Sequence, residues 1–191
     1  STGMPVRPAV IEYRDSPYPE ILDDRPLNLL VFGGSQGARV LSDVVPEAVK
    51  RLGAGLRQRL FVTQQCRRED LDRVRTVYAG CGICAEVSNF FIDLPARIAS
   101  SHLIIGRSGA STVAELTTIG RPAILIPYPY ATDNHQFINA KRYYDRNCCW
   151  ILEEKNFNSG DIYEIINQII TNKNEYLKKK TMSEMKKKPS D

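Results

Sequence analysis

Gly106-Arg107-Ser108-Gly109-Ala110-Ser111-Thr112-Val113-Ala114-Glu115 is the stretch whose residue types and spacing could do chemistry. An apolar run, Leu103-Ile104-Ile105, precedes it and reads as a buried strand. Apolar residues at helical spacing follow, from Val113 to Ile119. The small residues between them let the backbone bend sharply and approach a ligand closely. A strand that feeds a helix through such a turn aims free N–H groups outward at the positive end of the helix dipole. That is an anion site, and phosphate is the usual anion. Glu115 would lie one turn into the helix, near a ribose carried on that phosphate. The same residues admit a second reading: Thr112-Val113-Ala114-Glu115 has the spacing of a capping box, in which Glu115 only returns a bond to the cap's N–H.

Two further groups have chemical potential. Gly33-Gly34-Ser35-Gln36-Gly37-Ala38 lacks the G-x-G-x-x-G spacing of a dinucleotide fingerprint, and no acidic residue ends the next strand. It reads as a phosphate-contacting loop at a helix start, or as a tight strand–helix turn. Asp133-Asn134-His135-Gln136-Phe137-Ile138-Asn139-Ala140 gathers amides and an imidazole at another helix start. His135, Gln136 and Asn139 could partner sugar hydroxyls; alternatively Asp133 or Asn134 simply caps the helix. His135 as a base has no carboxylate evidently placed to orient it. His102 enters a buried strand and reads as structural.

The elements that must position these residues follow from apolar patterning. Strands are expected at Leu27–Phe32, Arg59–Thr63, Ala85–Asn89, His102–Gly106, Ala123–Pro127 and Cys148–Leu152. Helices are expected at Arg39–Leu52, Arg67–Ala79, Leu94–Ser100, Val113–Ile119, Gln136–Arg146 and Ile162–Thr171. Their alternation predicts a Rossmann-like, doubly wound α/β fold, with six mostly parallel strands and helices on both faces. Ligands bind such sheets beyond the carboxyl ends of the strands. Every unusual loop falls there: Gly33–Ala38, Phe90–Asp93, Arg107–Ser111 and Tyr128–His135. Residues 1–26 hold five prolines and little periodicity, and read as an extended linker between domains, not a folded element. Something is therefore expected to precede it.

The chain has 191 residues, 42% hydrophobic and 25% charged, which fits one ordinary globular domain with tails. The net charge of +4 comes largely from Lys178, Lys179, Lys180, Lys186, Lys187 and Lys188. Without that tail the body is roughly neutral, so nucleic acid is not expected as a partner, and the lysine run reads as a solvated face or, alternatively, as a contact to anionic lipid. No apolar run approaches the ~20 residues of a membrane span, and no signal peptide is expected. Five scattered cysteines argue against a disulfide framework, and Cys81-Gly82-Ile83-Cys84 lacks two further ligands for zinc.

The three motifs, taken together and in this order, resemble those of the MurG family of bacterial glycosyltransferases. Thr2-Gly3-Met4-Pro5-Val6-Arg7 is similar to that family's interdomain segment, with Met4 where Asn is more usual. The resemblance runs from residue 2 to about 172 and covers the C-terminal, donor-binding half of a two-domain GT-B enzyme. It implies transfer of N-acetylglucosamine from UDP-N-acetylglucosamine to lipid I, at the cytoplasmic face of the bacterial inner membrane, as a peripheral protein. It implies no metal or dinucleotide cofactor, and a missing N-terminal acceptor domain that holds the acceptor groove and the base. The chain alone is then expected to be inactive, with no catalytic residue of its own. By the same resemblance, Ser35 contacts the diphosphate, the backbone of Ile92 holds the uracil edge, and Arg7 belongs to the donor site. Ala110, Ser111, Thr112, Val113 and Ala114 bring the helix start to the phosphate, and Glu115 accepts from the ribose. Gln136 and His135 read the sugar hydroxyls. Residues 27–172 form the UDP-sugar domain, and 173–191 a truncated lysine-rich segment. A diacylglycerol glycosyltransferase, a UDP-sugar epimerase and a binding-only module remain as alternatives.

Overall fold

Alternating apolar side chains build a sheet whose two faces are both covered. The computed structural model describes residues 6–33, 39–144 and 149–171. In chain order these form α1 (Pro8–Ile11), β1 (Leu27–Phe32), α2 (Arg39–Lys50), α3 (Ala54–Arg59), β2 (Leu60–Gln65), α4 (Leu71–Gly80) and β3 (Cys84–Ser88). There follow α5 (Leu94–Ala99), β4 (Leu103–Gly106), α6 (Ala110–Ile119), β5 (Ala123–Leu125), α7 (His135–Tyr144), β6 (Cys149–Ile151) and α8 (Ser159–Thr171). The six strands stand in the order β3-β2-β1-β4-β5-β6, and every neighbouring pair is parallel. The doubly wound fold expected from the sequence is borne out, and "mostly parallel" becomes entirely parallel. The order reverses direction between β1 and β4, so the crevice that such folds use for ligands opens there.

Strand alternation explains the two cores. Leu29 and Val31 face one way and pack, with Val45 and Val49 of α2 and Ile162 and Ile166 of α8, into one buried cluster. Leu30 and Phe32 face the other way and pack with Val113, Leu116 and Ile119 of α6 and Tyr143 of α7. Helix α3, which the sequence reading missed, buries none of its residues and carries Gly55, so no periodic signal marked it.

The segment before β1 is the main correction. Read as extended and unfolded, it contains α1 and docks on both cores. Val10 is 0% exposed and joins the α6 side, while Tyr18 and Ile21 join the opposite cluster. Its apolar residues are too irregularly spaced to show periodicity, and Pro8 sits at the first helical position, where proline costs no hydrogen bond. Basic side chains anchor it from the body. Arg121 donates to the carbonyls of Ser16 and Pro17 at 3.3 and 3.0 Å. Arg59 donates to the carbonyls of Leu22 and Arg25. The Tyr18 hydroxyl donates to the His102 carbonyl at 2.7 Å.

His102 is structural, as expected. The Asn28 N–H donates to its Nδ1 at 2.9 Å, which assigns the proton to Nε2, 3.1 Å from the Glu20 carbonyl. Burial pushes its pKa down, opposed by the Glu20 contact and reinforced by Arg59 and Arg121. A histidine held neutral stabilises the fold fully above its unfolded pKa of about 6.5, and that contribution is lost as pH falls below it. Urea midpoints at pH 7.5 and 5.0 should therefore fall less in His102→Asn than in the wild type. Equal falls in both would show that His102 does not contribute to the acid sensitivity.

Candidate functional site

The carboxyl end of β4 leads through Arg107-Ser108-Gly109 into α6, at the crevice between β1 and β4. Gly109 occupies the N-cap with no side-chain cap, and the first helical bond runs from the Val113 N–H to the Gly109 carbonyl at 3.0 Å. The N–H groups of Ala110, Ser111 and Thr112 thus have no partner within the helix. Ala110 and Ser111 are exposed. This geometry overturns the capping-box reading, because Thr112 lies inside the helix and is not its cap. It leaves an open helix N-terminus suited to an anion.

Glu115, one turn along, is 7% exposed. Its partner is Arg7: Nε donates to Oε1 at 2.8 Å and Nη2 lies 2.7 Å from the same oxygen. Two residues 108 positions apart, Glu115 placed near the ribose by its motif and Arg7 assigned to the donor site by resemblance, are therefore in contact. Ser35 and the rest of the 34–38 loop lie outside the described residues. Ile92 is 90% exposed on the rim beyond β3, beside the buried Phe91, whose ring lies under the Arg97 guanidinium at 4.5 Å.

The β4–α6 turn is braced from below by contacts that the sequence did not signal. The Ser108 hydroxyl donates to the Gln136 carbonyl at 2.7 Å, and Asn139 Nδ2 donates to the Ser108 carbonyl at 3.2 Å. Asn139, read as a sugar ligand, is instead a strut between α7 and the turn. Arg107 is buried beneath the turn, with Nη1 2.6 Å from Glu154 Oε2 and within 3.4 Å of the Ile126 and Pro127 carbonyls. That Glu154 oxygen makes no hydrogen bond of good geometry, so the Arg107 contact is Coulombic rather than directional. The Arg107 guanidinium also faces the Tyr128 ring at 5.4 Å. The motif letters around Arg107 and Ser108 were visible, but their partners lie 19 to 47 residues away.

At the start of α7, Asp133 and Asn134 both hold left-handed backbone, φ 52° and 57°, a conformation that Asp and Asn tolerate better than most residues. Gln136 Oε1 accepts from the Tyr128 N–H at 2.9 Å, which ties this helix start to the loop after β5. A carboxylate does stand near His135, but Asp133 Oδ2 is 3.9 Å from Nε2, too far for a hydrogen bond, and both side chains are exposed. His135 is therefore not oriented as a base. A cleft of about 660 Å³ opens alongside, lined among others by Val40, Pro127, Tyr130, Asn134, Phe137 and Glu154. Its lining includes no residue of the first turn of α6. Among the described residues no three His, Cys, Asp or Glu side chains gather as metal ligands, and no helix is long and apolar enough to cross a membrane.

A parallel sheet ordered 3-2-1-4-5-6, with an open helix N-terminus and a buried glutamate at its switch point, is the Rossmann-like C-terminal half of a GT-B fold. Residues 28–190 match the glycosyltransferase family 28 C-terminal domain, and the chain belongs to that family. A curated relative from Paramagnetospirillum magneticum is 50% identical over 170 residues, 89% of this chain and 46% of its own length. It is named UDP-N-acetylglucosamine–N-acetylmuramyl-(pentapeptide) pyrophosphoryl-undecaprenol N-acetylglucosamine transferase. The transferase of the same name from Methylobacterium sp. is 61% identical over 140 residues, 73% of this chain and 38% of its own length. The crystal structure of Acinetobacter baumannii MurG superposes with a TM-score of 0.76 at 28% identity, over 90% of this chain and 51% of that one. The resemblance to MurG read from the motifs is thus borne out. The chain spans about half the length, or less, of these relatives.

Proposed function

We propose that this chain is the donor-binding half of an inverting glycosyltransferase that moves N-acetylglucosamine from UDP-N-acetylglucosamine to lipid I, giving the lipid II precursor of peptidoglycan. The observation that carries the reading is the uncapped α6 N-terminus at the β1–β4 switch point, with Glu115 buried one turn behind it. The diphosphate sits on the free N–H groups of Ala110, Ser111 and Thr112, with Ser35 beside it. The ribose reaches Glu115, the uracil edge meets the Ile92 backbone, and Gln136 and His135 face the sugar.

In the transfer, a base on the acceptor-binding half removes the proton of the acceptor hydroxyl. The hydroxyl oxygen attacks the anomeric carbon, the bond from that carbon to the UDP oxygen breaks, and the electron pair leaves with UDP. The α6 N-terminus stabilises the charge that grows on the departing diphosphate. No described residue of this chain is assigned the base. The acceptor groove is assigned, with the base, to the acceptor-binding half. The whole enzyme works as a peripheral protein at the cytoplasmic face of the inner membrane, where lipid I is displayed, and needs no metal ion to hold the donor. The names of the relatives favour this reading over a diacylglycerol glycosyltransferase or an epimerase.

Calorimetry in EDTA tests it. UDP and UDP-N-acetylglucosamine should bind saturably, and ADP or GDP at least about tenfold more weakly, since each tenfold corresponds to about 1.4 kcal/mol of lost base contacts. Binding that requires magnesium or manganese would contradict the metal-free site. Equal affinity for all three nucleoside diphosphates would contradict the uridine assignment.

A further inference from the structure

Glu115 poses a physical problem that the donor reading leaves open. A carboxylate this deeply buried is costly without a counter-charge, and a long side chain free to rotate would be a poor hydrogen-bond acceptor for a ligand. Arg7 answers both difficulties. Nε donates to Oε1 at 2.8 Å and Nη2 lies 2.7 Å from the same oxygen, whereas Oε2 makes no hydrogen bond to a described residue. One oxygen is thus held, and no described residue takes up the lone pairs of the other.

The guanidinium itself stands on a fixed base. Arg7 is the N-cap of α1, where its carbonyl accepts from the N–H groups of Val10 and Ile11 at 2.9 and 3.3 Å. Val10 is buried against the α6 side of the sheet, in one cluster with Val113 and Leu116, which flank Glu115 in sequence. The helix that carries the glutamate and the turn that carries the arginine are therefore packed together. The rest of the segment is lashed down by Arg121, Tyr18 and Arg59.

We propose that Arg7 is a positioning residue of the donor site: it holds Glu115 through Oε1 and so presents Oε2 to a ribose hydroxyl. The proposal rests on the donor reading above and gives Arg7, assigned there only to the donor site, a role that acts through Glu115. The segment before β1 becomes a wall of the site rather than a tether. The side chain of Arg7 is 58% exposed, so its contact with Glu115 is open to competition by solvent and salt, and the positioning should weaken at high ionic strength.

The experiment compares UDP with 2′,3′-dideoxyuridine 5′-diphosphate, which lacks both ribose hydroxyls, by calorimetry on the 191-residue chain. The proteins are the wild type, Arg7→Gln, Arg7→Lys and, as reference, Glu115→Gln, with melting curves to confirm folding. The wild type should prefer UDP by about tenfold or more, as expected when charge-assisted bonds to the hydroxyls are lost. Arg7→Gln should cut that preference at least threefold while leaving affinity for the dideoxy compound within about twofold. Arg7→Lys, with the charge but not the fork, should fall between them, and carries the test should the glutamine variant fail to fold. If Arg7→Gln keeps the whole preference and loses affinity for both nucleotides alike, the guanidinium acts on the phosphates or on the fold, and the proposal is overturned. A wild type that binds neither nucleotide overturns the donor reading itself.

Discussion

Gly106→Ala should destabilise the domain by roughly 2–3 kcal/mol, lower its melting temperature by about 5–10 °C and weaken UDP binding as well. A Cβ built at Gly106 would stand 2.7 Å from the backbone carbonyl oxygen of Phe32, its register partner on β1. The obstacle is main chain, not the tip of a flexible side chain. Neither strand can yield easily, because β1 is held by β2 on its other side and β4 by β5. The contact lies at the end of both strands, where β1 enters the glycine loop and β4 enters the turn to α6. Spreading them there would displace the N–H groups proposed to hold the diphosphate. Thermal melting and UDP calorimetry on the same sample check both effects. An alanine variant with wild-type stability and affinity would show that the two strands approach less closely than this.

Arg121→Met is expected to cost about 3 kcal/mol or more. Arg121 is 0% exposed and donates to the carbonyls of Ala99 (2.7 and 2.9 Å), Ile119 (3.1 Å), Ser16 and Pro17. Methionine fills much of the volume but donates nothing, so several buried carbonyls lose their partner, each at roughly 1–3 kcal/mol, less what water recovers. The loss should concentrate on the segment before β1, which Arg121 ties to the ends of α5 and α6. Urea unfolding measures the total, and brief proteolysis should cut within residues 14–25 first. A variant as stable and as resistant as the wild type would mean that the docked segment does not depend on this arginine.

Much of the fold was legible because burial on both faces of a parallel sheet leaves continuous apolar runs such as Leu103-Ile104-Ile105, and amphipathic helices leave a period. Element ends drifted by one to three residues: β2 runs Leu60–Gln65 rather than 59–63, and α6 starts at Ala110 rather than Val113. The open helix start after β4 was legible because its physics is local. What the sequence hid is held by single long-range side-chain bonds. Nothing local marks Arg121, which stands between Gly120 and Pro122 while its partners at Ser16 and Pro17 lie over 100 positions away. The segment before β1 looked like a linker because its prolines and polar residues outnumber Val10, Tyr18 and Ile21, the three apolar residues it buries. Glu115 had a plausible local partner, the cap, and the true one, Arg7, carries no periodic or spacing signal.

The central claim is that the first turn of α6 and Glu115 form a uridine diphosphate site, and Glu115→Gln tests it most directly. Glutamine keeps the size and can still accept from Arg7, but it accepts more weakly from ribose hydroxyls. The exposed partner limits what the Arg7 contact adds to folding to about 1 kcal/mol or less. Measured by calorimetry and thermal melting on one preparation, UDP affinity should fall about ten- to a hundredfold, roughly 1.5–3 kcal/mol, with the melting temperature of the unliganded domain nearly unmoved. UDP affinity within twofold of the wild type, with a lowered melting temperature, would show that Glu115 serves the fold and that the donor site is not on this helix.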